Sequence, residues 1–230
     1  MTTAMILAAG RGERMRPLTD DRPKPLVTLA GRALIEHPLQ ALIAAGVRDF
    51  VVNLGYRGAQ IRDHLGDGSS RGVRIRYSEE GDPALETGGG VHRALPLLGA
   101  APFLLVNADV YAQIDWRALV ARAATLPADT LAHLLLVPNP AFKADGDFSL
   151  IGDRVVDPVA GQTSHTFAGI SIHRPELFAG CQPGRFPLLP LWRAASQRGQ
   201  LGGEVFDGLW SDVGTPQRLA ELETRLSPPL

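Results

Sequence analysis

The sequence predicts a doubly wound α/β sheet, and three observations carry that expectation. Strand-like and helix-like segments alternate through the first half of the chain. Residues 102–106 (P-F-L-L-V) form a continuous apolar run of the kind a central parallel strand needs. The opening run Met5–Ala8 breaks into Gly10 and Gly12, as a strand does when it feeds a ligand-binding loop.

Each element has its own reason. Residues 33–45 place apolar side chains at helical spacing and stop at Gly46, with Pro38 expected to kink that helix or fall in its first turns. Asp49–Leu54 is a β-branched strand, and Gln60–Leu65 a short helix ending at Gly66. Val73–Tyr77 alternates strictly, so it is a strand with one polar face. A helix over 90–98 leads to the central strand at 102–106. Trp116–Leu126 is amphipathic, and Leu131–Val137 is a buried strand. The rhythm then changes. Phe148–Ile151, Arg154–Val156 and His165–His173 read as short strands with tight turns, an antiparallel excursion. Pro187–Arg198 is helical, Gly208–Val213 a last strand, and Pro216–Leu226 a closing helix with proline in its first turn. Only the Pro-Pro-Leu tail reads as loose.

Composition narrows the function classes. The 230 residues, 45% hydrophobic and 20% charged, allow a sizeable core. A net charge of −1 sets up no field toward nucleic acid or a membrane surface. The lone Cys181 excludes an internal disulfide. No signal-like leader and no span-length apolar run is present, so the expectation is a soluble cytoplasmic protein with neither nucleic acid nor membrane as partner.

The stretch from Met5 to Leu26 is the chemical centre. After Gly10 and Gly12 come Arg11, Arg14, Arg16, Arg22 and Lys24, a glycine loop crowded with cations. Backbone N–H groups and cations together describe a polyphosphate site. It is not the dinucleotide fingerprint, whose third glycine is replaced by Met15, nor the P-loop, whose Gly-Lys-Ser/Thr is absent. The prolines after it suit an extended, rigid segment. Asp109, just past the strand at 102–106, and Asp212, near the end of 208–213, lie where α/β sheets place ligands. As a pair they are candidates for Mg²⁺, which prefers a few carboxylate oxygens alongside phosphates. Gly88 to Gly90 offer bare backbone to a base or ribose, and Asn107 lies close enough to Asp109 to reach a ribose.

The run L-A-A-G-x-G-x-R-M-x-P-L-T, followed by P-K-P-L, resembles the opening of the sugar-1-phosphate nucleotidyltransferases. The resemblance covers about residues 4 to 220 and implies a Rossmann-like, mostly parallel sheet of that type in one domain over 1–230, with a sugar-binding excursion at about 139–175. It implies that Leu7, Ala8, Ala9, Gly10, Arg11 and Gly12 hold the nucleoside triphosphate. Arg14 and Lys24 would hold phosphates and act in catalysis with Asp109, while Asp109 and Asp212 bind the divalent metal. The loop with Glu80 and Gly88 would recognise the base. Gly146 and Asp147 in G-D-F, and Thr166 and Gly169 in T-F-A-G-I, match sugar-phosphate positions, with Asn139 joining the pocket. The family's usual Glu-Lys-Pro triplet is replaced by Val156-Asp157-Pro158, a departure from the glucose-type pattern.

The implied reaction joins a nucleoside triphosphate, UTP favoured, to a sugar 1-phosphate and releases pyrophosphate. Among compact members, L-E-T-G-G-G, V-P-N-P, G-D-F and F-A-G-I look most like the bacterial N-acetylmuramic acid 1-phosphate uridylyltransferases of cell-wall recycling. A mannose-1-phosphate guanylyltransferase is the runner-up, and a non-catalytic nucleotide-sugar sensor is the reading from a different class. A monomer or weak dimer is expected.

Overall fold

The computed structural model describes residues 2–81 and 83–227, so Asp82 and the Pro-Pro-Leu tail lie outside the described residues. The chain opens with β1 (Thr3–Leu7), the hairpin β2 (Thr28–Leu29) and β3 (Arg32–Ala33), and α1 (Glu36–Ala44). It continues through β4 (Asp49–Leu54), α2 (Gly58–Leu65), β5 (Arg74–Glu79), α3 (Glu86–Leu98), β6 (Phe103–Asn107), β7 (Val110–Ala112) and α4 (Trp116–Ala124). Then come β8 (Ala132–Val137), β9 (Phe148–Ile151), β10 (Arg154–Val156), β11 (Ser164–His173), α5 (Leu189–Gln197), β12 (Leu201–Val205), β13 (Trp210–Asp212) and α6 (Pro216–Leu226).

Nine strands form the central sheet in the order β5-β4-β1-β6-β11-β8-β12-β10-β9. The chain winds outward from β1 through β4 to β5, then crosses back to lay β6 on the other side of β1. That reversal leaves a crevice at the carboxyl ends of β1 and β6, where open α/β sheets bind ligands. Strand alternation sorts the core into two layers. Ala4, Ile6, Phe50, Val52, Leu104 and Val106 face α1, α2 and α4. Met5, Val51, Phe103 and Leu105 face α3 and α5. Both faces are covered, so the sequence shows apolar runs rather than alternation in β1, β4 and β6.

The mixed α/β class holds, and the differences from expectation in sheet topology come after β6. The antiparallel part is no side excursion: β11 is inserted between β6 and β8, antiparallel to both. β12 is a strand in addition to those expected, opening on Leu201-Gly202-Gly203, where two glycines mask the strand pattern. In the fold it pairs parallel with β8, and a Cβ at Gly203 would lie 2.9 Å from the Leu134 carbonyl oxygen and press on Val155. The last strand is also displaced: β13 leaves the main sheet and pairs antiparallel with the equally unexpected β7. Pro38 falls in the first turn of α1, which begins at Glu36 because Ala33 belongs to the hairpin. The helix expected from residue 90 begins four residues earlier, at Glu86. The segment after the glycine loop is not extended throughout; Glu13–Met15 and Lys24–Leu26 each make one 3₁₀ turn.

Candidate active site

The glycine loop is held from beneath. Met15 is fully buried among Val27, Leu29, Leu34, Val213, Leu219 and Leu222, a small core shared with α6. The buried Thr19 hydroxyl donates to the Gly12 carbonyl at 2.9 Å. Gly12 has φ +69°, and a Cβ there would sit 2.6 Å from the Lys24 Cβ. Glycine is therefore needed twice over, for its dihedral and for the passage of Lys24 across the loop. Arg14 stays exposed and makes no hydrogen bond or ion pair with the described residues, so its guanidinium is available to an anion.

Above the loop lies a cavity of about 480 Å³. Parallel pairing sets Asn53, Leu7 and Asn107 side by side at the ends of β4, β1 and β6, and all three line it. Ala8, Ala9, Gly10, Gly12, Arg14, Lys24, Glu80 and Asp109 join them, so ten residues singled out in the sequence meet in one space with Leu7 and Asn107 among them. The cations gather at one end. The other end, bounded by Asn53, Glu80, Ala84, Glu86 and Thr87, has a polar lining whose nearest cation, Arg185, is already paired with Glu86 at 3.0 Å, which suits a base and ribose better than phosphates.

Glu80 sits in that end in an unexpected capacity. Its buried carboxylate accepts from Asn53 Nδ2 at 2.6 Å and from the Leu85 N–H at 2.8 Å. Asn53 Oδ1 in turn accepts the Ala8 N–H at 2.7 Å. The pair ties the glycine loop after β1 to the loop after β5 through buried hydrogen bonds. Gly88 does not line the cavity: a Cβ there would meet the Phe186 ring at 2.5 Å, and Gly89 and Gly90 are likewise packed against protein. The glycine triplet serves close helix packing rather than an open platform, a distinction that periodicity does not carry. Asn53, Glu86 and Thr87 line the cavity without having been expected site residues; Glu86 and Thr87 belong to the L-E-T-G-G-G run, and the place of Asn53 at a strand end was the available signal.

The two aspartates meet through the small β7–β13 ladder. Asp212 pairs with Val110, and the Val213 N–H donates to the Asp109 carbonyl at 2.9 Å. Each carboxylate has a cation: Lys24 pairs with Asp109, and Arg218 with Asp212. Burial pushes the Asp212 carboxyl above its ordinary range, against the opposing Arg218 guanidinium, and the Asp109 charge pushes the same way. Two neighbouring carboxylates beside a cation-rich glycine loop are a hard-oxygen donor set, which fits Mg²⁺ completed by phosphate oxygens and water.

The remaining expected residues lie along the same sheet edge, outside the cavity lining. Asn139 donates to the Ala144 carbonyl and the Ser164 hydroxyl, both at 2.9 Å, and accepts from Thr166 at 3.0 Å. Asp147 accepts the Phe167 N–H at 2.9 Å, and Gly146 packs against Asn139 and Ser164. These groups brace the loop that follows β8. Gly169 sits at φ +75° in the irregular stretch of β11, close against Asn107. Arg11 lies 5.0 Å over the Tyr56 ring, turned to the outer side of the loop.

Comparison with known proteins agrees with this geometry. The family model described as nucleotidyl transferase matches residues 3–144. The chain is 50% identical to the N-acetylmuramate alpha-1-phosphate uridylyltransferase of Neisseria meningitidis, over 96% of each chain. It is 40% identical to the protein of that name from Caulobacter vibrioides, over 97% of this chain and 96% of that one. The T. maritima inositol-1-phosphate CTP transferase shares the fold with a TM-score of 0.76 at 20% identity, over 98% of this chain and 96% of its own. A glycine loop, converging cations and paired strand-end aspartates thus stand in a chain that the family model matches over most of its length, and the chain belongs to the nucleotidyl transferase family.

Proposed function

We propose that this protein transfers a uridylyl group from UTP to N-acetylmuramic acid 1-phosphate, giving UDP-N-acetylmuramic acid and pyrophosphate. The observation that carries this reading is the convergence of Arg14, Lys24 and Asp109 on one cavity in a chain half identical, nearly end to end, to a relative of that name. A phosphate oxygen of the sugar substrate attacks the α-phosphorus, and the bond to the β-phosphate oxygen breaks. The nucleophile is already deprotonated at neutral pH, so no general base is needed. The work left to the protein is positioning two anions and neutralising charge.

Arg14, which has no hydrogen-bond or ion-pair partner among the described residues, takes the departing pyrophosphate. Lys24 exchanges its Asp109 partner for phosphate oxygens and draws the nucleophile toward the α-phosphate. Asp109 and Asp212 would hold Mg²⁺, which when bound supplies further neutralisation of the triphosphate. Asn53 and Glu80 keep the base-side loop in register with the Ala8 N–H. The nucleotide substrate fits a cytoplasmic location, and a monomer or weak dimer suffices because one chain supplies the whole cavity.

The guanylyl alternative with mannose 1-phosphate is less supported, since the two relatives of 40% and 50% identity carry the uridylyltransferase name. A non-catalytic sensor would have little need for both aspartates. The test is pyrophosphate release with UTP, GTP, CTP, ATP and dTTP, each crossed with a panel of sugar 1-phosphates. UTP with N-acetylmuramic acid 1-phosphate should give the highest kcat/KM. Preference for GTP with mannose 1-phosphate would replace this reading, and nucleotide binding without release would favour the sensor.

A further inference from the structure

Resting on the uridylyl-transfer reading, we propose that Arg218 is the specificity residue that reads the lactyl carboxylate of the sugar substrate. That carboxylate is what N-acetylmuramic acid 1-phosphate has and N-acetylglucosamine 1-phosphate lacks, so discrimination between them requires a cation on the sugar side of the site. Arg14 and Lys24 stand at the phosphate end of the cavity. Arg218, in the first turn of α6, stands on the other side of the aspartate pair. Its side chain is only 13% exposed.

Three contacts define its position. Nη1 donates to Asp212. The Phe142 ring, on the loop after β8 that also carries Asn139 and Asp147, lies 4.0 Å from the guanidinium carbon. Gly214, which lines the cavity, packs so closely on the guanidinium that a Cβ there would collide with Nη2. Nη2 and Nε have no hydrogen-bond partner among the described residues. The planar fork therefore keeps donors in reserve directly beside Gly214 of the cavity wall, the geometry that suits two parallel bonds to a carboxylate. When Asp212 turns its charge to a bound cation, the arginine is left short of an anion, and the substrate's carboxylate supplies one. Phe142 is 55% exposed, an apolar surface beside that carboxylate on which the lactyl methyl can rest. The cation on that loop, Lys143, is already taken by Asp147 at 2.5 Å.

The test compares N-acetylmuramic acid 1-phosphate with N-acetylglucosamine 1-phosphate as the ratio of their kcat/KM values, in which any damage to shared chemistry cancels. Calorimetric binding of the two UDP-sugar products gives the same ratio without turnover. Arg218→Gln should lower both ratios about 10- to 100-fold, with the kinetic loss appearing in KM. Arg218→Lys should restore only part of the loss, and Phe142→Ala should lower the ratios several-fold at an unchanged melting temperature. Unchanged ratios in Arg218→Gln, or a loss confined to Lys143→Met, would overturn the assignment. Should Arg218→Gln fail to fold, an unchanged ratio in Phe142→Ala would overturn it alone. A wild-type protein that makes no UDP-N-acetylmuramic acid would defeat the underlying reading instead.

Discussion

Asp109 and Gly12 show how much of the site rests on single side chains. Asp109 is half of the carboxylate pair and the partner of Lys24, while its backbone carbonyl holds β13. Asp109→Asn keeps shape and backbone bonds and removes the charge. Pyrophosphate release should fall by roughly 100-fold or more with the melting temperature little changed. Near-native turnover in this variant would exclude Asp109 as a metal ligand. Gly12→Ala strains a φ of +69° and pushes on the Lys24 Cβ. It should cost about 1–2 kcal/mol in urea unfolding and raise KM for UTP several-fold. Alanine tolerated on both measures would mean that the loop relaxes freely and does not set Lys24. Both residues stood out in the sequence, because a glycine among cations and an aspartate after an apolar strand are local signals. Asn53 did not. It looks like one more residue of β4 until the fold places it between Ala8 and Glu80.

Helix α5 is docked through Trp192, whose indole N–H donates to His173 Nε2 at 2.9 Å, the two ring planes lying within 4° of parallel and their centroids 5.9 Å apart. His173 is fully buried, and desolvation lowers its pKa from 6.5 to about 3. The folded protein therefore refuses a proton that the unfolded chain accepts below about pH 6.5. Stability linked to this group is fully present above that pH and is lost as the pH falls toward 3, by at most about 1.4 kcal/mol per unit. His173→Gln should flatten the fall of unfolding free energy between pH 6 and 4 by up to one proton's worth. An identical slope in that variant would show that His173 is not the group responsible. The histidine had no motif around it, and only its neighbours across the sheet give it this role. β12 tells a similar story: two glycines argue for a loop locally, yet the gap between β8 and β10 admits only a strand without side chains at Gly203.

Taken whole, the molecule divides its labour along the sheet. The parallel strands β4, β1 and β6 and the loop after β5 line the cavity, which on the proposed reading takes the nucleotide, while the antiparallel β11 and the loop after β8 lie beyond its lining, where that reading puts the sugar. The aspartate pair stands where the two meet, carried by a ladder outside the main sheet. Chelation should therefore separate chemistry from folding. EDTA should abolish pyrophosphate release, added Mg²⁺ should restore it, and far-ultraviolet circular dichroism should stay the same throughout. Full activity in EDTA would remove the metal from the reaction. Among the described residues no helix is long and apolar enough to cross a membrane.

The sequence by itself determined the α/β class, the glycine loop and the cations gathered beside it, since each is written in neighbouring residues: apolar runs, glycine spacing and a proline-flanked lysine. Tertiary structure decided which of the expected residues share a space. It turned Glu80 and the glycine triplet to internal packing, drew Asp212 beside Asp109 through an unforeseen ladder, and set Arg218 between a carboxylate, an aromatic ring and the cavity wall. Those arrangements depend on pairings between segments far apart in the chain, and neither hydrophobic period nor local propensity encodes which distant strand a segment will meet.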